Sequence, residues 1–325
     1  MTDENGIVFG WTINGQGGGR RLDNTEVAEE IRNAGLAWVH LDATHEGTRE
    51  WLTEEITCID SILIDALLAE ETRPRTVDYG DGMLLILRGV NLNPDEQPED
   101  MVSLRMWVDV DRIITIERRH VQTIRNMDDF LKAGVGPRNS GDFLSMLCTQ
   151  LFDYMDEAQG RLHEKLDTLE ESILANPDHS QRASTLDIRR AAITFRRYIA
   201  PQRDVLAHLR YAEQTWLEAN HKRIFQEDLD QVIRTLEDLD LMRERAQITH
   251  DTLNSTLAHR VNKNLYFLSG IATIFMPLTF ITGLFGMNVE GIPFADHPWS
   301  FLVICAVTIG LVALQAIIFK ILKWF

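Results

Sequence analysis

The chain has 325 residues and a formal net charge of −17, with 45% hydrophobic and 25% charged residues. So acidic a body repels nucleic-acid phosphates and attracts cations, which excludes nucleic acid as a partner. The three cysteines, Cys58, Cys148 and Cys305, stand far apart and form no Cys-x-x-Cys pair, which excludes a disulfide framework and a structural zinc site.

Residues 1–139 mix strand and helix signals. The opening Met-Thr-Asp-Glu-Asn is acidic, and no cleavable secretory signal is read there. Residues 7–13 and 37–43 are short apolar runs bounded by Gly, Asn and Asp, and predict strands. Residues 15–19 are glycine-rich but lack the Gly-Lys-Ser/Thr ending of a phosphate loop. Asp23 with Glu26 three residues on, then Val27 and Ile31, predicts a capped amphipathic helix to residue 34. Residues 60–70 read the same way. Residues 83–90 predict a continuous apolar strand, closed by a loop at Pro94 and Pro98. Val102, Leu104, Met106 and Val108 alternate with polar neighbours and predict a half-buried strand. Residues 109–112 turn into a strand over 113–116. Together these give a cytoplasmic domain of α+β or α/β class with a small mixed sheet.

Residues 134–141 form the clearest linker. Residues 140–264 then read as a long-helix stalk. Leu144, Leu147, Leu151, Tyr154 and Ala158, continued by Leu162, Leu166, Leu169 and Ile173, recur at spacings of three and four and predict a long helix, broken at Asn176-Pro177. A second helix is expected over 180–220, with a kink at Pro201. A third is expected from about Gln226 without interruption to Phe285, on the order of 90 Å long. The basic run Arg189, Arg190, Arg196, Arg197 and Arg203 is expected to pair with Glu237, Asp238 and Asp240.

Residues 265–285 contain no charged side chain, and roughly 20 such residues cross a bilayer core as a helix. Residues 286–298 are a loop that opens with Gly286, Met287 and Asn288. Residues 299–319 are a second uncharged run, and 320–325 a short tail. This is a two-helix transmembrane hairpin at the C-terminal end of the sequence. Before residue 265 lie 30 basic and 47 acidic residues, the whole of the net charge. Arg260 and Lys263 precede the first span, Lys320 and Lys323 follow the second, and the loop has no Lys or Arg. The positive-inside rule then puts both termini in the cytoplasm.

No Ser-His-Asp order or paired-carboxylate motif is found, so the chain is not read as an enzyme, and no cofactor is expected. Two spans cannot enclose a water path, so transport would need several copies around an axis. Projected as a helix, Asn262, Leu265, Ser269, Ala272, Met276, Thr279 and Gly283 fall on one stripe of small, hydroxyl and apolar groups. At its outer end Gly286 allows the helix to stop, and Asn288 with freed carbonyls would offer neutral oxygens to a hydrated divalent ion. On these three residues alone a helix C-cap at a membrane edge explains the motif equally well. Glu290 and Asp296 would attract cations to the loop. Glu227, His250, Asp251 and Asn254 lie on the stalk and are candidate metal contacts, with packing or solvation as the ordinary alternative. His259 near the pore mouth and His297 in the loop are weaker candidates.

Met276-Pro-Leu-Thr-Phe-Ile-Thr-Gly-Leu-Phe-Gly-Met-Asn288 resembles the pore-helix motif of the CorA family of divalent-cation transporters, and the resemblance covers essentially the whole chain. Glu70-Glu-Thr-Arg-Pro-Arg75 and Leu85-Ile-Leu-Arg-Gly-Val-Asn-Leu-Asn-Pro94 are similar to its zinc-transporting ZntB branch. The resemblance implies a homopentamer with a funnel-shaped cytoplasmic domain, set in the inner membrane. It also implies a pore lined by Asn262, Leu265, Leu268 or Ser269, Met276, Thr279 and Asn288. The cargo it implies is zinc, with magnesium, cobalt, nickel or cadmium as related ions, and uptake coupled to protons. The loop reads Val289-Glu-Gly-Ile-Pro-Phe294 and lacks the acid that follows proline in magnesium-type members. A magnesium or cobalt channel of the same family is the rival reading. A membrane-tethered coiled-coil sensor or scaffold that conducts nothing is the rival from another class.

Overall fold

The computed structural model describes residues 5–33, 35–70, 72–287 and 298–321. The chain forms two compact units, Met1–Asp251 and Thr252–Phe325.

The first unit is built on a seven-stranded sheet of order β2-β1-β3-β7-β6-β5-β4. Its strands are β1 (Ile7–Ile13), β2 (Gly19–Leu22), β3 (Ala37–Asp42), β4 (Arg75–Tyr79), β5 (Gly82–Gly89), β6 (Val102–Val108) and β7 (Arg112–Glu117). β3 and β7 pair in parallel, and all other neighbours are antiparallel. The sheet is thus mixed, as expected, but larger than the sequence suggested. The edge strands β2 and β4 were not foreseen, because their exposed residues carry no apolar alternation.

Both faces are covered. One packs on α1 (Asn24–Glu30), α2 (Gly47–Glu55) and α3 (Ser61–Leu68) through Val39, Leu41, Trp107 and Ile114. The other packs on α4 (Gln122–Ala133), α5 (Ser140–Ala175), α6 (Gln181–Tyr211) and the first part of α7 (Ala219–Phe285). This apolar cluster runs from Phe9 and Trp38 through Leu144, Phe195 and Val232 to Ala246, so sheet and long helices share one core. A register shift between Ile7 and Phe9 sends Ile7 to the first face and Phe9 and Trp11 to the second.

β6 corrects an expectation. It is buried on both sides, because Arg105 and Trp107, opposite in direction to Leu104 and Met106, lie under the α1–α3 layer. Arg105 is fully buried. Its Nη2 donates to the carbonyls of Ala69 (2.7 Å) and Glu70 (3.3 Å), while Arg118 donates to Leu68 (3.1 Å). Two guanidiniums thereby satisfy the Leu68 carbonyl that ends α3 and the two carbonyls after it, and face the negative end of its dipole. Burial, then the neighbouring Arg118 and Arg88, pushes the Arg105 pKa down to about 10, so it keeps its charge at neutral pH.

A buried polar chain crosses the seam between β3 and β7. Trp38 Nε1 donates to Thr115 Oγ1 (2.8 Å), which meets His40 Nδ1 (2.9 Å). His40 Nε2 lies 3.2 Å from Glu117, which also accepts from Arg125 (3.0 Å) and the Val121 N–H (2.9 Å). Burial works to raise the Glu117 pKa, but His40, Arg125 and that N–H together hold it below the usual carboxylate range.

The helices start where capping groups stand. Asp23 forms the expected capping box of α1, which ends at Glu30, short of the expected residue 34. Asn139 caps α5 by accepting from the Asp142 N–H at 2.8 Å. The second long helix ends at Tyr211, not at 220, and the third begins at Ala219, before the expected Gln226. His221 fixes the start of α7. Its Nδ1 accepts from the Glu218 N–H (3.1 Å), and its Nε2 donates to Asp142 (2.9 Å), which ties the start of α7 to the first turn of α5. Gly141 makes room, since a Cβ there would stand 2.3 Å from the His221 ring. The glycine-rich residues 15–18 turn β1 into β2. Asn14 Oδ1 accepts from the Gln16 and Gly18 N–H groups, and Gly17 sits at φ +93°.

Of the basic run on α6, Arg196 pairs with Asp240 at 2.8 Å as expected. Asp238 does not pair with it. That carboxylate accepts from Gln159 of α5 (2.9 Å). Arg203 pairs with its neighbour Asp204. The α7–α5 contact is instead tied by Arg245, which meets Asp167 (2.7 Å) and Glu170 (2.6 Å).

Candidate functional site

The second unit holds the membrane-crossing part of α7 and the helix α8 (Ser300–Ile321). Both are long and apolar enough to cross a bilayer. A helix satisfies its own backbone groups, the condition for a chain in hydrocarbon. The hydroxyls follow suit: Thr273 donates to Ser269 O (2.8 Å), Thr282 to Leu278 O (2.9 Å) and Thr308 to Ile304 O (3.0 Å).

The less exposed residues of α8 are Ile304, Cys305, Thr308, Leu311, Gln315 and Phe319, at helical spacing. Those of the α7 span are Gly270, Ile274, Pro277, Leu278 and Ile281. These are the two facing stripes. A hydrogen bond joins them: Gln315 Nε2 donates to the Thr273 carbonyl at 3.0 Å.

The candidate residues Asn262, Leu265, Leu268, Ser269, Met276 and Thr279 are all exposed in the single chain. At 100° per residue their stripe is centred on roughly the opposite side of α7 from the stripe that faces α8. Gly283 belongs to the same exposed stripe. Gly286 follows the last helical turn, its N–H donating to Thr282 O at 2.9 Å, and Met287 is exposed. Asn288, Glu290, Asp296 and His297 lie outside the described residues.

The stalk candidates are dispersed. Glu227 is exposed. Asp251 is exposed and accepts from Gln247 (3.0 Å). His250 is half-buried, with Nδ1 2.9 Å from Thr185 Oγ1 of α6. Asn254 is half-buried and His259 exposed. Among the described residues no group of three His, Cys, Asp or Glu side chains stands close enough to hold a metal within one chain.

Sequence reasoning missed two residues here. One is Asp228, next to Glu227 but buried, its carboxylate accepting from Thr149 Oγ1 at 3.1 Å. Burial, with Asp153 and Glu227 repelling, pushes its pKa up to about 7 against the opposing Thr149 bond. Its signal was its place in the Leu229 and Val232 stripe. The other is Gln315, the one amide side chain in residues 299–319.

Residues 33–320 match the family described as CorA-like Mg2+ transporter protein. The chain belongs to the CorA family. It is 34% identical to the divalent cation transporter CmaX of Pseudomonas aeruginosa, over 99% of this chain and 98% of that one. It is also 34% identical to the zinc transport protein ZntB of Pectobacterium carotovorum, over 98% and 96% of the two chains. A solved structure of full-length CmaX superposes with a TM-score of 0.85 over 99% of both chains. As a CorA family member the chain is a divalent-cation transporter of the membrane, and the family is one of transporters and not of enzymes.

Proposed function

We propose that the chain assembles as a homopentamer in the inner membrane, both termini cytoplasmic, and takes up zinc through a central path lined by α7. The observation that carries this reading is the stripe of α7 turned away from α8. It is uncharged, mixes small, hydroxyl and apolar side chains, and has no partner within one chain among the described residues. Copies set around an axis would bring it together. The domain boundaries at 139/140 and 264/265, and the loop over 286–298, belong to the same reading.

In this scheme Glu290 and Asp296 draw cations to the outer loop. Gly286, Met287 and Asn288 select them with neutral oxygens. Thr279, Met276, Ser269, Leu268, Leu265 and Asn262 conduct them inward to an acidic body. The path has no fixed charge, and stripping a divalent ion with neutral ligands alone is costly, so the ion travels largely hydrated. Glu227, His250 and Asp251 would meet metal between copies. Zinc is favoured by the ZntB relatives and by the loop's missing acid after Pro293. Magnesium, named in the family description, is the second reading, with cobalt, nickel and cadmium as further cargo.

The test is flux into liposomes. Zinc entry faster than magnesium entry, accelerated by an inward proton gradient and lost in Asn288→Ala with assembly intact, is expected. Magnesium-selective flux indifferent to protons would overturn the zinc reading. Unaltered selectivity in Asn288→Ala would remove that residue from the filter.

A further inference from the structure

We propose that Gln315 of α8 positions the outer third of the α7 membrane span, by holding a backbone carbonyl that Pro277 leaves without its helical partner. In an α-helix each carbonyl accepts from the N–H four residues on. The partner of the Thr273 carbonyl would be residue 277, which is proline and has no N–H. The helix nevertheless continues to Phe285. In a bilayer such a carbonyl finds no water, so it is satisfied by protein or at considerable cost. Gln315 Nε2 supplies the donor at 3.0 Å. A carbonyl can only accept, so this contact fixes the amide with nitrogen toward α7. The other end, Gln315 Oε1, is buried with no partner. An amide within a membrane span with one end unmet is costly, and its other end offsets that cost by serving the backbone of α7.

What it does follows from its place. Pro277 is where α7 can bend, since its ring and the missing bond loosen the turn that contains it. Beyond it stand Thr279, Gly283, Gly286 and Met287. The Gln315 bond ties the loosened turn to α8, so it sets the angle at which that outer segment leaves the turn. Gln315 touches no ion in this scheme and is a positioning residue. Its effect on transport rests on the reading that α7 lines the path.

The test is a double-mutant cycle read by cation flux into liposomes and by thermal melting of the purified protein. Gln315→Met keeps the side-chain length and removes the donor. It is expected to slow zinc flux about tenfold and to lower the melting temperature by several degrees. Pro277→Ala restores the N–H of residue 277 and closes the backbone bond to Thr273. In that background Gln315→Met should change flux less than twofold and leave melting unchanged. Equal effects of Gln315→Met with and without Pro277 would show a packing role only and overturn the proposal, as would no effect in the Pro277 background. Should Pro277→Ala itself stop flux, the melting cycle decides by the same criterion. A wild-type protein that carries no divalent cation would refute the ion path, while the melting cycle still decides the hydrogen bond.

Discussion

The two units differ in how far their buried polar groups reach. In Met1–Asp251 many reach across the fold, beside hydroxyls such as those of Thr168, Thr194 and Thr235 that fold back on their own helix. Trp38, Thr115, His40, Glu117 and Arg125 form one buried chain, and Arg105 leaves its strand to cap a helix on the layer above. In the spans of Thr252–Phe325 the hydroxyls of Thr273, Thr282 and Thr308 fold back on their own helix, and Gln315 crosses to the other. The difference follows from the solvent. In water, burial of apolar surface drives folding and buried polar pairs select one arrangement among many. In lipid the apolar faces gain little from meeting each other, so a backbone bond at a defect takes a larger share in fixing the pairing.

Four substitutions would sharpen or break this contrast. Arg105→Ala is expected to be the most damaging. It opens a cavity under α3 and releases the Ala69 and Glu70 carbonyls, costing about 3–5 kcal/mol in denaturant unfolding. Thr115→Val keeps the volume but leaves Trp38 Nε1 and His40 Nδ1 unmet, and should cost about 2 kcal/mol by the same assay.

Asp228→Asn should act with the opposite sign. The folded pKa of about 7 lies above the unfolded value, so the folded state holds its proton longer. Its contribution to stability is full below about pH 4 and is lost as pH rises to about 7. Asparagine should therefore stabilise the protein by on the order of 2 kcal/mol at pH 8 and hardly at all at pH 4. Melting curves at the two pH values check this, and equal shifts at both would refute the assigned titration.

The smallest effect belongs to the membrane unit. Thr308→Val removes a hydroxyl that serves only its own helix, so melting should move by an amount equivalent to less than about 0.5 kcal/mol. A loss as large as that of Thr115→Val would erase the contrast between the units.

Legibility followed the same division. The central strands β1, β3, β5 and β7 were readable from short apolar runs, and β6 from the alternation of Val102, Leu104, Met106 and Val108. α1, α3 and α5 were readable where Asp23, Asp60 and Asn139 accept from backbone N–H groups. α2 and α4 escaped notice, and both begin at residues with no side-chain cap, Glu46 and Val121. Of α4, the spacing of Ile124, Met127 and Leu131 was present but went unread. The family followed from the residues around Pro277. Neither Arg105 under α3 nor Gln315 against Thr273 was legible, since each bond joins residues about 40 apart whose meeting depends on how elements pack.

The parallel seam between β3 and β7 has a kinetic consequence. β2-β1-β3 on one side and β4-β5-β6-β7 on the other are each built from antiparallel neighbours close in sequence, which zip quickly. Joining the halves brings Trp38 to Ile113 across some 75 residues of chain, a slow closure with a large entropic cost. During synthesis the nascent protein would thus carry two half-sheets with unsatisfied edges until β7 has left the ribosome, and that interval is when this transporter is most exposed to chaperones and to aggregation.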